Sequence, residues 1–323
     1  MQITNKWNLS DYVIKLLGKR YQPKKERIGV STLIDSPRIR TLQIEKWDEI
    51  TQDVSTGLTA LGGLSLHTRA EKFAETDEMA EQKLEDSVDS EGLPLGLTLV
   101  GKADNYKPAR QIISMSDSGT TTKLLNDNQI RDWKSMAVYG LKWPDKVRKM
   151  TEQLNMYAWQ RLIRKQAVES LYLDIYWKNW KYEEWERADD KLYTIEFDLT
   201  SGGVVAGYPP IPYTLVKLPL WPFEVQEGFI KDQIEYHLQN PLHCLDRWQK
   251  AAQFAVMKEG RKSAIRVLDT YNQAFAYCVN NNLYKLNEFA KGVSIVERPG
   301  LCVRCGANGF YCPCWSICPD AVK

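Results

Sequence analysis

The stretch from Gly101 to Tyr157 constrains the fold most, because it places acidic residues at the ends of two short apolar runs and follows them with a helix. Asp104 comes just after the first run, and Asp132 lies two positions before Lys134 at the end of the second. Apolar residues recur at helical spacing from Gln153 onward. The pattern predicts two carboxylates and one ammonium group at the ends of neighbouring strands.

This group of side chains suits hydrolysis of a phosphodiester bond. Magnesium and similar hard cations prefer oxygen ligands, and two carboxylates with one backbone carbonyl leave room for waters and a phosphate oxygen. A neighbouring lysine orients or deprotonates the attacking water, or neutralises charge that develops on phosphorus. The Asp-x-Lys pattern is also common on solvated surfaces, so by itself it does not separate a catalytic site from a polar face.

Gln153 and Tyr157 favour the catalytic interpretation. The two residues are four positions apart in a segment whose apolar residues follow helical spacing. Residues four apart share one face of a helix. Both side chains are therefore expected to point into the same cleft.

Three motifs in this order resemble the RecB-like branch of the PD-(D/E)XK nuclease superfamily: Gly-x-x-Asp at Gly101–Asp104, Ile-x-Asp-x-Lys at Ile130–Lys134, and Gln-Leu-Asn-x-Tyr at Gln153–Tyr157. Upstream, Gly62–His67 with Glu71 is similar to the first motif of that branch, whose histidine helps to hold metal. Other segments are similar to a phage-type subgroup with a C-terminal cysteine cluster: Gly207–Pro209, Leu218–Trp221, Asp246–Trp248 and Ala255–Lys258.

The resemblance implies a fold class and its parts. The expected class is α/β, with a restriction-endonuclease-like central mixed β-sheet flanked by helices, an N-terminal helical part and a C-terminal cysteine-cluster extension. The expected segments are an accessory part at residues 1–57, a nuclease core at 58–240 and a helical part with the cluster at 241–323.

The resemblance also implies a metal site. One or two Mg²⁺ or Mn²⁺ ions are expected on Asp104, Asp132 and the backbone carbonyl of Trp133, with His67 completing the set. A single histidine is more often a structural residue than a ligand, so the role of His67 depends on the matching first motif.

Further roles are carried over for the lysine and the helix. Lys134 is expected to position the nucleophilic water and stabilise the transition state, while Gln153 and Tyr157 are expected to orient that lysine and the scissile strand. Glu71 and Glu81 are weaker candidates, because a polar helix face explains both.

The C-terminal tail is rich in cysteine. Five of the seven cysteines lie between Cys302 and Cys318, among prolines and glycines that let the chain fold back on itself. Such density predicts a metal site. Four thiolates suit tetrahedral zinc, and they equally suit an iron–sulfur cluster. Cys278 lies in an apolar helical stretch and is expected in the core.

In the branch that the chain resembles, a [4Fe-4S] cluster is held by one distant cysteine and three near the C-terminus, and its role is structural. Carried over, the expected ligands are Cys244, Cys305, Cys312 and Cys318. Zn²⁺ is the alternative metal. Because the segment 306–311 separates the first two terminal ligands, Cys302 and Cys314 remain competing ligands.

Composition sets broader limits. A chain of 323 residues, 43% of them apolar, is long enough to bury one large core or two smaller ones. The net charge of +2 predicts no global attraction to nucleic acid, although Lys15–Arg27 and Lys146–Lys165 are locally basic. No apolar run reaches the length of a membrane helix, and the cysteines do not form a disulfide framework. A cytoplasmic protein that does not enter a membrane is expected.

Together these patterns favour a metal-dependent deoxyribonuclease, and more specifically an exonuclease that acts on single-stranded DNA or duplex ends in recombination, repair or phage DNA metabolism. A helicase or recombinase is the expected protein partner. Two alternatives belong to other classes: a non-catalytic nucleic-acid-binding protein with a nuclease-like fold, and a zinc-dependent module that binds a partner protein through its cysteine tail.

Local patterns also predict secondary structure around the motifs. Helices are expected at Ile39–Ile50, Ser65–Phe73 and Glu224–Leu238, and a loop is expected at Ser116–Asn128 within the long polar segment Lys107–Asn128. Strands are expected at Val168–Trp177, Leu192–Phe197 and Val216–Leu220.

Overall fold

The computed structural model describes residues 1–17, 21–72, 78–87, 97–116, 119–240, 247–305 and 312–321. Contacts divide the chain into two compact units. The larger unit contains residues 5–44 and 57–241, and the smaller unit contains residues 1–4, 45–56 and 242–323. The three segments expected from the sequence stay a prediction. The larger unit combines residues 5–44, which were expected in the accessory part, with residues 57–241.

The described residues form both helices and strands. The helices are α1 Asp11–Leu17, α2 Val30–Leu33, α3 Pro37–Glu45, α4 Leu61–Lys72, α5 Pro144–Leu162, α6 Tyr182–Arg187, α7 Phe223–Gln239 and α8 Tyr271–Asn280. Short 3₁₀ turns lie at Trp47–Glu49, Val54–Ala60 and Gly140–Lys142. Among the residues that the structure describes, none of the helices combines the length and the apolar character needed to cross a lipid bilayer.

The strands contain from two to eight residues. Those of the first half are β1 Gln2–Thr4, β2 Arg27–Gly29, β3 Thr51–Asp53, β4 Met79–Ala80, β5 Lys83–Ser87, β6 Thr98–Lys102, β7 Asn105–Lys107, β8 Arg110–Ser116, β9 Gly119–Asn126 and β10 Gln129–Met136. Those of the second half are β11 Ser170–Trp177, β12 Glu196–Asp198, β13 Tyr213–Leu218, β14 Gln249–Lys250, β15 Gln253–Lys258, β16 Arg266–Leu268, β17 Tyr284–Lys285, β18 Glu288–Phe289, β19 Val293–Arg298 and β20 Leu301–Cys302.

A six-stranded mixed sheet is the centre of the larger unit. Its strand order is β12-β13-β11-β10-β7-β4. The central strands β10 and β11 run parallel, with Asp132 opposite Leu173, while β13 is antiparallel to β11 and β7 is antiparallel to β10. A three-stranded sheet of order β2-β6-β5 lies in the same unit. The larger unit is therefore a mixed α/β structure, as expected.

One face of the central sheet is the core of this unit. Ile130 on β10, Leu173 on β11 and Val216 on β13 lie on this face and are all fully buried. Helix α5 packs against β6, β10 and α7, and a proline in its first turn fits a helix start. This packing brings the residues of α5 close to the ends of β6 and β10.

The smaller unit has its own core. Strands β16, β15 and β19 form an antiparallel sheet, and α8 packs against it. Thr270 caps α8 by accepting a hydrogen bond from the Gln273 backbone N–H at 3.2 Å. Cys278 on α8 is fully buried in this core, which confirms its predicted structural position.

Several predicted elements are confirmed with shifted ends. The strand predicted at residues 168–177 is β11, the helix predicted at 224–238 is α7, and the strand predicted at 216–220 is β13, which begins three residues earlier. The helix predicted at 65–73 is α4, although Phe73 lies outside the described residues.

Other predictions are wrong. The loop predicted at 116–128 is contradicted by β9 at Gly119–Asn126, which pairs with β8 as an antiparallel hairpin. The helix predicted at 39–50 ends at Glu45 and is followed by a 3₁₀ turn and then β3. The strand predicted at 192–197 is reduced to Glu196–Asp198. In each case the polar composition concealed where regular hydrogen bonding begins or ends.

His237 on α7 joins that helix to α2. Its Nε2 lies 3.1 Å from the Leu33 carbonyl oxygen, to which the neutral ring donates a hydrogen bond. Burial lowers the pKa of His237 to about 4, although the hydrogen bond to Leu33 opposes the change. The folded protein therefore holds this ring neutral, whereas the unfolded chain binds a proton below about pH 6.5.

This difference predicts a pH-dependent loss of stability. The contribution of neutral His237 is fully present above about pH 6.5 and is lost as the pH falls towards 4. Between about pH 7 and pH 4.5 the loss from this residue is expected to be about 2.5 kcal/mol. Urea unfolding at both pH values measures it, and His237→Gln, which retains a donor, is expected to lose less stability over the same interval. An equal loss in both proteins would contradict the assignment.

Candidate metal centre

Asp104 lies between β6 and β7, beside β10. It follows β6 by two residues, and its carboxylate is almost fully buried. Its Oδ2 accepts a hydrogen bond of 2.6 Å from the backbone N–H of Trp133 on β10. The first acidic motif is therefore bound directly to the strand that carries the second.

Two further side chains meet Asp104. His67 projects from α4, which packs against β10, and its Nδ1 lies 3.1 Å from Asp104 Oδ1. The same nitrogen lies 3.2 Å from Glu81 Oε1. The ligand atoms of these three residues all lie within 4.8 Å of one another. The arrangement suits a divalent cation, for which imidazole nitrogen and carboxylate oxygens are suitable ligands.

The electrostatics of His67 follow from these contacts. Its pKa is raised, chiefly by the hydrogen bond to Asp104 and further by Glu81, although partial burial opposes the change. The ring also meets Trp133 edge-on, with the ring centroids 6.2 Å apart. Without a cation, the two carboxylates thus favour the protonated imidazole.

Asp132 and Lys134 form a buried ion pair beside this group. The carboxylate of Asp132 is 1% exposed, and Lys134 Nζ lies 2.5 Å from its Oδ2. Burial raises the pKa of Asp132 to about 7; the charge of Lys134 opposes the rise and the charge of Asp104 adds to it. Burial lowers the pKa of Lys134, but the charge of Asp132, the hydrogen bond to Asp132 and the charge of Asp104 together outweigh burial, so the net shift is upward.

Helix α5 supplies the remaining predicted residues. Gln153 Oε1 lies 3.5 Å from Lys134 Nζ, and Gln153 Nε2 donates a hydrogen bond of 2.9 Å to the Tyr157 hydroxyl. Burial is the main cause of the raised pKa of Tyr157. A continuous chain of polar contacts therefore connects Asp132 to the helix.

The structure brings together every predicted residue of the magnesium or manganese site and the catalytic set: His67, Asp104, Asp132, Trp133, Lys134, Gln153 and Tyr157. It also adds Glu81, which the sequence analysis placed on a polar helix face. That placement is wrong, because Glu81 lies in the turn between β4 and β5. Glu71 is exposed on α4 and does not belong to the converging group.

The cysteine tail is described in part. Cys244 lies outside the described residues, and the segment 306–311 does too. Among the described residues, Cys302, Cys305, Cys312 and Cys318 form no disulfide bond. Within the described ranges, the set whose ligand atoms converge is His67, Glu81 and Asp104, and the thiols form no comparable set.

The thiols are nevertheless neighbours. Cys318 donates its backbone N–H to the Cys314 carbonyl at 2.8 Å, and Cys314 is fully buried. Burial raises the pKa of Cys314 to about 12, and Cys312 and Cys318 contribute to the rise. Burial and the neighbouring sulfur atoms disfavour the Cys314 thiolate, and a bound cation would stabilise it.

Comparisons with known proteins give little further information. No family model matches the chain, and no match is found among curated proteins. A solved structure, the crystal structure of SSO0001, is similar with a TM-score of 0.42 and 14% sequence identity, over 73% of this chain and 87% of that chain. A TM-score of this size carries no argument. The fold and site define a mixed α/β protein with a candidate cation site beside a buried Asp–Lys pair.

Proposed function

We propose that this protein is a divalent-cation-dependent deoxyribonuclease that hydrolyses phosphodiester bonds at DNA ends. The observation that carries the proposal is the adjacency of two features. The Asp132–Lys134 ion pair is buried, and next to it Asp104 contacts a histidine. This adjacency supplies a cation site and a charged amine within one group of side chains.

Each residue has a role in the proposed reaction. Asp104 and Asp132, with the carbonyl of Trp133 and with His67, hold Mg²⁺ or Mn²⁺, which supplies charge neutralisation and an activated water when bound. Lys134 positions that water and stabilises negative charge that develops on the phosphate. The contact with Gln153 keeps the lysine amine directed at the site.

The proposed fold family is the restriction-endonuclease-like group, in the RecB-like branch of the PD-(D/E)XK superfamily. The central mixed sheet with α5 packed on β10 supports this assignment. Strand β10 carries Asp132 and Lys134, and α5 carries Gln153 and Tyr157, in the order of the motifs. A helicase or recombinase remains the proposed partner, and single strands or duplex ends remain the proposed substrate.

The cysteine tail is proposed to hold a [4Fe-4S] cluster with a structural role, with zinc as the alternative. The proposed ligands are Cys244, Cys305, Cys312 and Cys318, with Cys302 and Cys314 as competitors. The burial of neighbouring thiols fits a soft cation, and it favours Cys314 as a competitor more than the half-buried Cys302. Visible absorbance and iron content of anaerobically purified protein test for the [4Fe-4S] cluster. Zinc found in place of iron would reject the cluster in favour of a zinc site.

DNA cleavage tests the proposal. End-labelled linear DNA and circular DNA are incubated with the protein in Mg²⁺ or Mn²⁺ and then analysed for loss of full-length substrate. Loss of linear but not circular DNA is the expected result and establishes the requirement for an end. Cleavage of both would reject the exonuclease assignment, and cleavage of neither would reject the nuclease, leaving a non-catalytic DNA-binding protein to be tested by affinity.

A smaller effect is expected for the residue that holds the lysine. Gln153→Ala removes the contact with Lys134 and the hydrogen bond to Tyr157, so the cleavage rate is expected to fall about tenfold while DNA affinity is unchanged. Single-turnover cleavage and equilibrium binding of DNA separate the two quantities. A parent-like rate would show that the amine is held without Gln153.

A further inference from the structure

Glu81 makes contacts that the Asp132–Lys134 pair does not explain. Its Oε1 lies 3.2 Å from His67 Nδ1, and that nitrogen lies 3.1 Å from Asp104 Oδ1. Two neighbouring ligands at about 2.1 Å from one octahedral cation are about 3 Å apart. Both nitrogen–oxygen separations therefore match those between adjacent ligands of a single small cation.

The backbone holds Glu81 in an uncommon conformation at this position. Its φ of +54° lies in the left-handed region, which is rare for residues other than glycine. Its backbone N–H donates a hydrogen bond of 2.9 Å to the carbonyl oxygen of Asp104. Lys102 binds the other carboxylate oxygen, Oε2, and so leaves Oε1 facing His67. The turn thus places one oxygen of Glu81 beside Asp104.

The charges in this group are not balanced by side chains alone. Three carboxylates, Glu81, Asp104 and Asp132, lie together with two ammonium groups, Lys102 and Lys134. With His67 neutral, one negative charge is left over in a largely buried place. A divalent cation bound here would compensate this charge.

We propose that His67, Glu81 and Asp104 form a divalent-cation position that does not require Asp132. This position differs from the set in which Asp132 and the Trp133 carbonyl are ligands, and His67 and Asp104 belong to both sets. The inference deepens the proposed function, since it rests on the same group of side chains. It assigns Glu81 as a metal ligand and leaves Asp132 paired with Lys134 while this position fills.

Binding of Mn²⁺ alone to the full-length chain tests the inference, by isothermal titration calorimetry without nucleic acid. Glu81→Gln is expected to weaken one binding step by at least about tenfold. The matched control is Glu71→Gln, because this glutamate is exposed one helical turn after His67 and outside the converging group, and parent-like binding is expected. Asp132→Asn is expected to retain the step that Glu81→Gln weakens.

Unchanged binding in Glu81→Gln, or loss of the same step in Asp132→Asn, would overturn the inference. If Glu81→Gln does not fold, as judged by circular dichroism, Glu81→Asp tests the same residue, because its carboxylate is one methylene group shorter: a weakened step supports the inference and parent-like binding refutes it. Cleavage by the parent is measured in parallel. A weakened step together with an inactive parent rejects only the nuclease, whereas an active parent with unchanged binding in Glu81→Gln rejects only the role of Glu81.

Discussion

Replacing Lys134 by methionine is expected to lower the rate of DNA cleavage by about 10³-fold, which is the size of effect that removal of a charged transition-state stabiliser gives. Lys134 supplies the ammonium group beside the two acidic residues, and methionine keeps its approximate length and volume without the charge. Release of label from end-labelled linear DNA under single-turnover conditions measures the effect. A rate within tenfold of the parent would dismiss the assignment of Lys134.

The stability of this variant needs a control, because the substitution leaves Asp132 without its counter-ion. A buried charge that loses its partner destabilises a protein by about 3–5 kcal/mol. The raised pKa of Asp132 means that its ionisation already disfavours the folded state as the pH rises from about 4 to 7. The double variant Asp132→Asn/Lys134→Met removes both charges, so at pH 8 it is expected to be inactive and at least as stable as the parent. Activity in the folded double variant would reject the proposed site.

Replacing Gly101 by alanine is expected to lower the free energy of unfolding by about 3 kcal/mol, through overpacking and loss of a buried hydrogen bond. A Cβ at this position would lie 1.7 Å from Gln160 Oε1 and 3.1 Å from the Tyr157 ring. Gln160 has little freedom to move, because it is fully buried and donates a hydrogen bond of 2.8 Å to Asp86. Helix α5 would have to shift, and cleavage is expected to fall as well.

Gly228 provides the matched control for this substitution. It lies within α7, and a Cβ there would meet no atom within 4 Å. Alanine favours a helix interior by about 1 kcal/mol relative to glycine, so Gly228→Ala is expected to be neutral or stabilising. Urea unfolding of both variants measures the contrast. A stability of Gly101→Ala within about 0.5 kcal/mol of the parent would show that the packing of α5 on β6 is looser than the described contacts indicate.

The central sheet could be predicted where burial gives the sequence a regular period. In β11, Leu171, Leu173 and Ile175 are fully buried at alternate positions, so the strand has the period of two that half-buried strands require. Helix α7 was predicted for the corresponding reason. The β8–β9 hairpin was not predicted, because its sequence is polar and shows no clear alternation of apolar and polar residues. Its pairing is defined by backbone hydrogen bonds.

The candidate site was predictable in its motifs but not in its full membership. Asp104, Asp132 and Lys134 lie close together because Asp104 directly precedes β7, which pairs with β10. The sequence predicted neighbouring strands, but it placed Asp132 and Lys134 at the end of a strand, and they lie within β10. Glu81 was only a weaker candidate in the sequence, because a single left-handed residue in a turn directs its side chain and no residue pattern marks that turn. The charged segment around it instead suggested a solvated helix.

In the proposed site, Asp104 and Asp132 bind a divalent ion and Lys134 lies beside it. Anomalous diffraction from crystals of the full chain grown with Mn²⁺ tests this arrangement most directly, because the manganese signal locates the ion without reference to activity. The expected result is an anomalous peak about 2.2 Å from a carboxylate oxygen of Asp104. Manganese bound only elsewhere on the protein, with no peak at Asp104 at saturating concentration, would contradict the account.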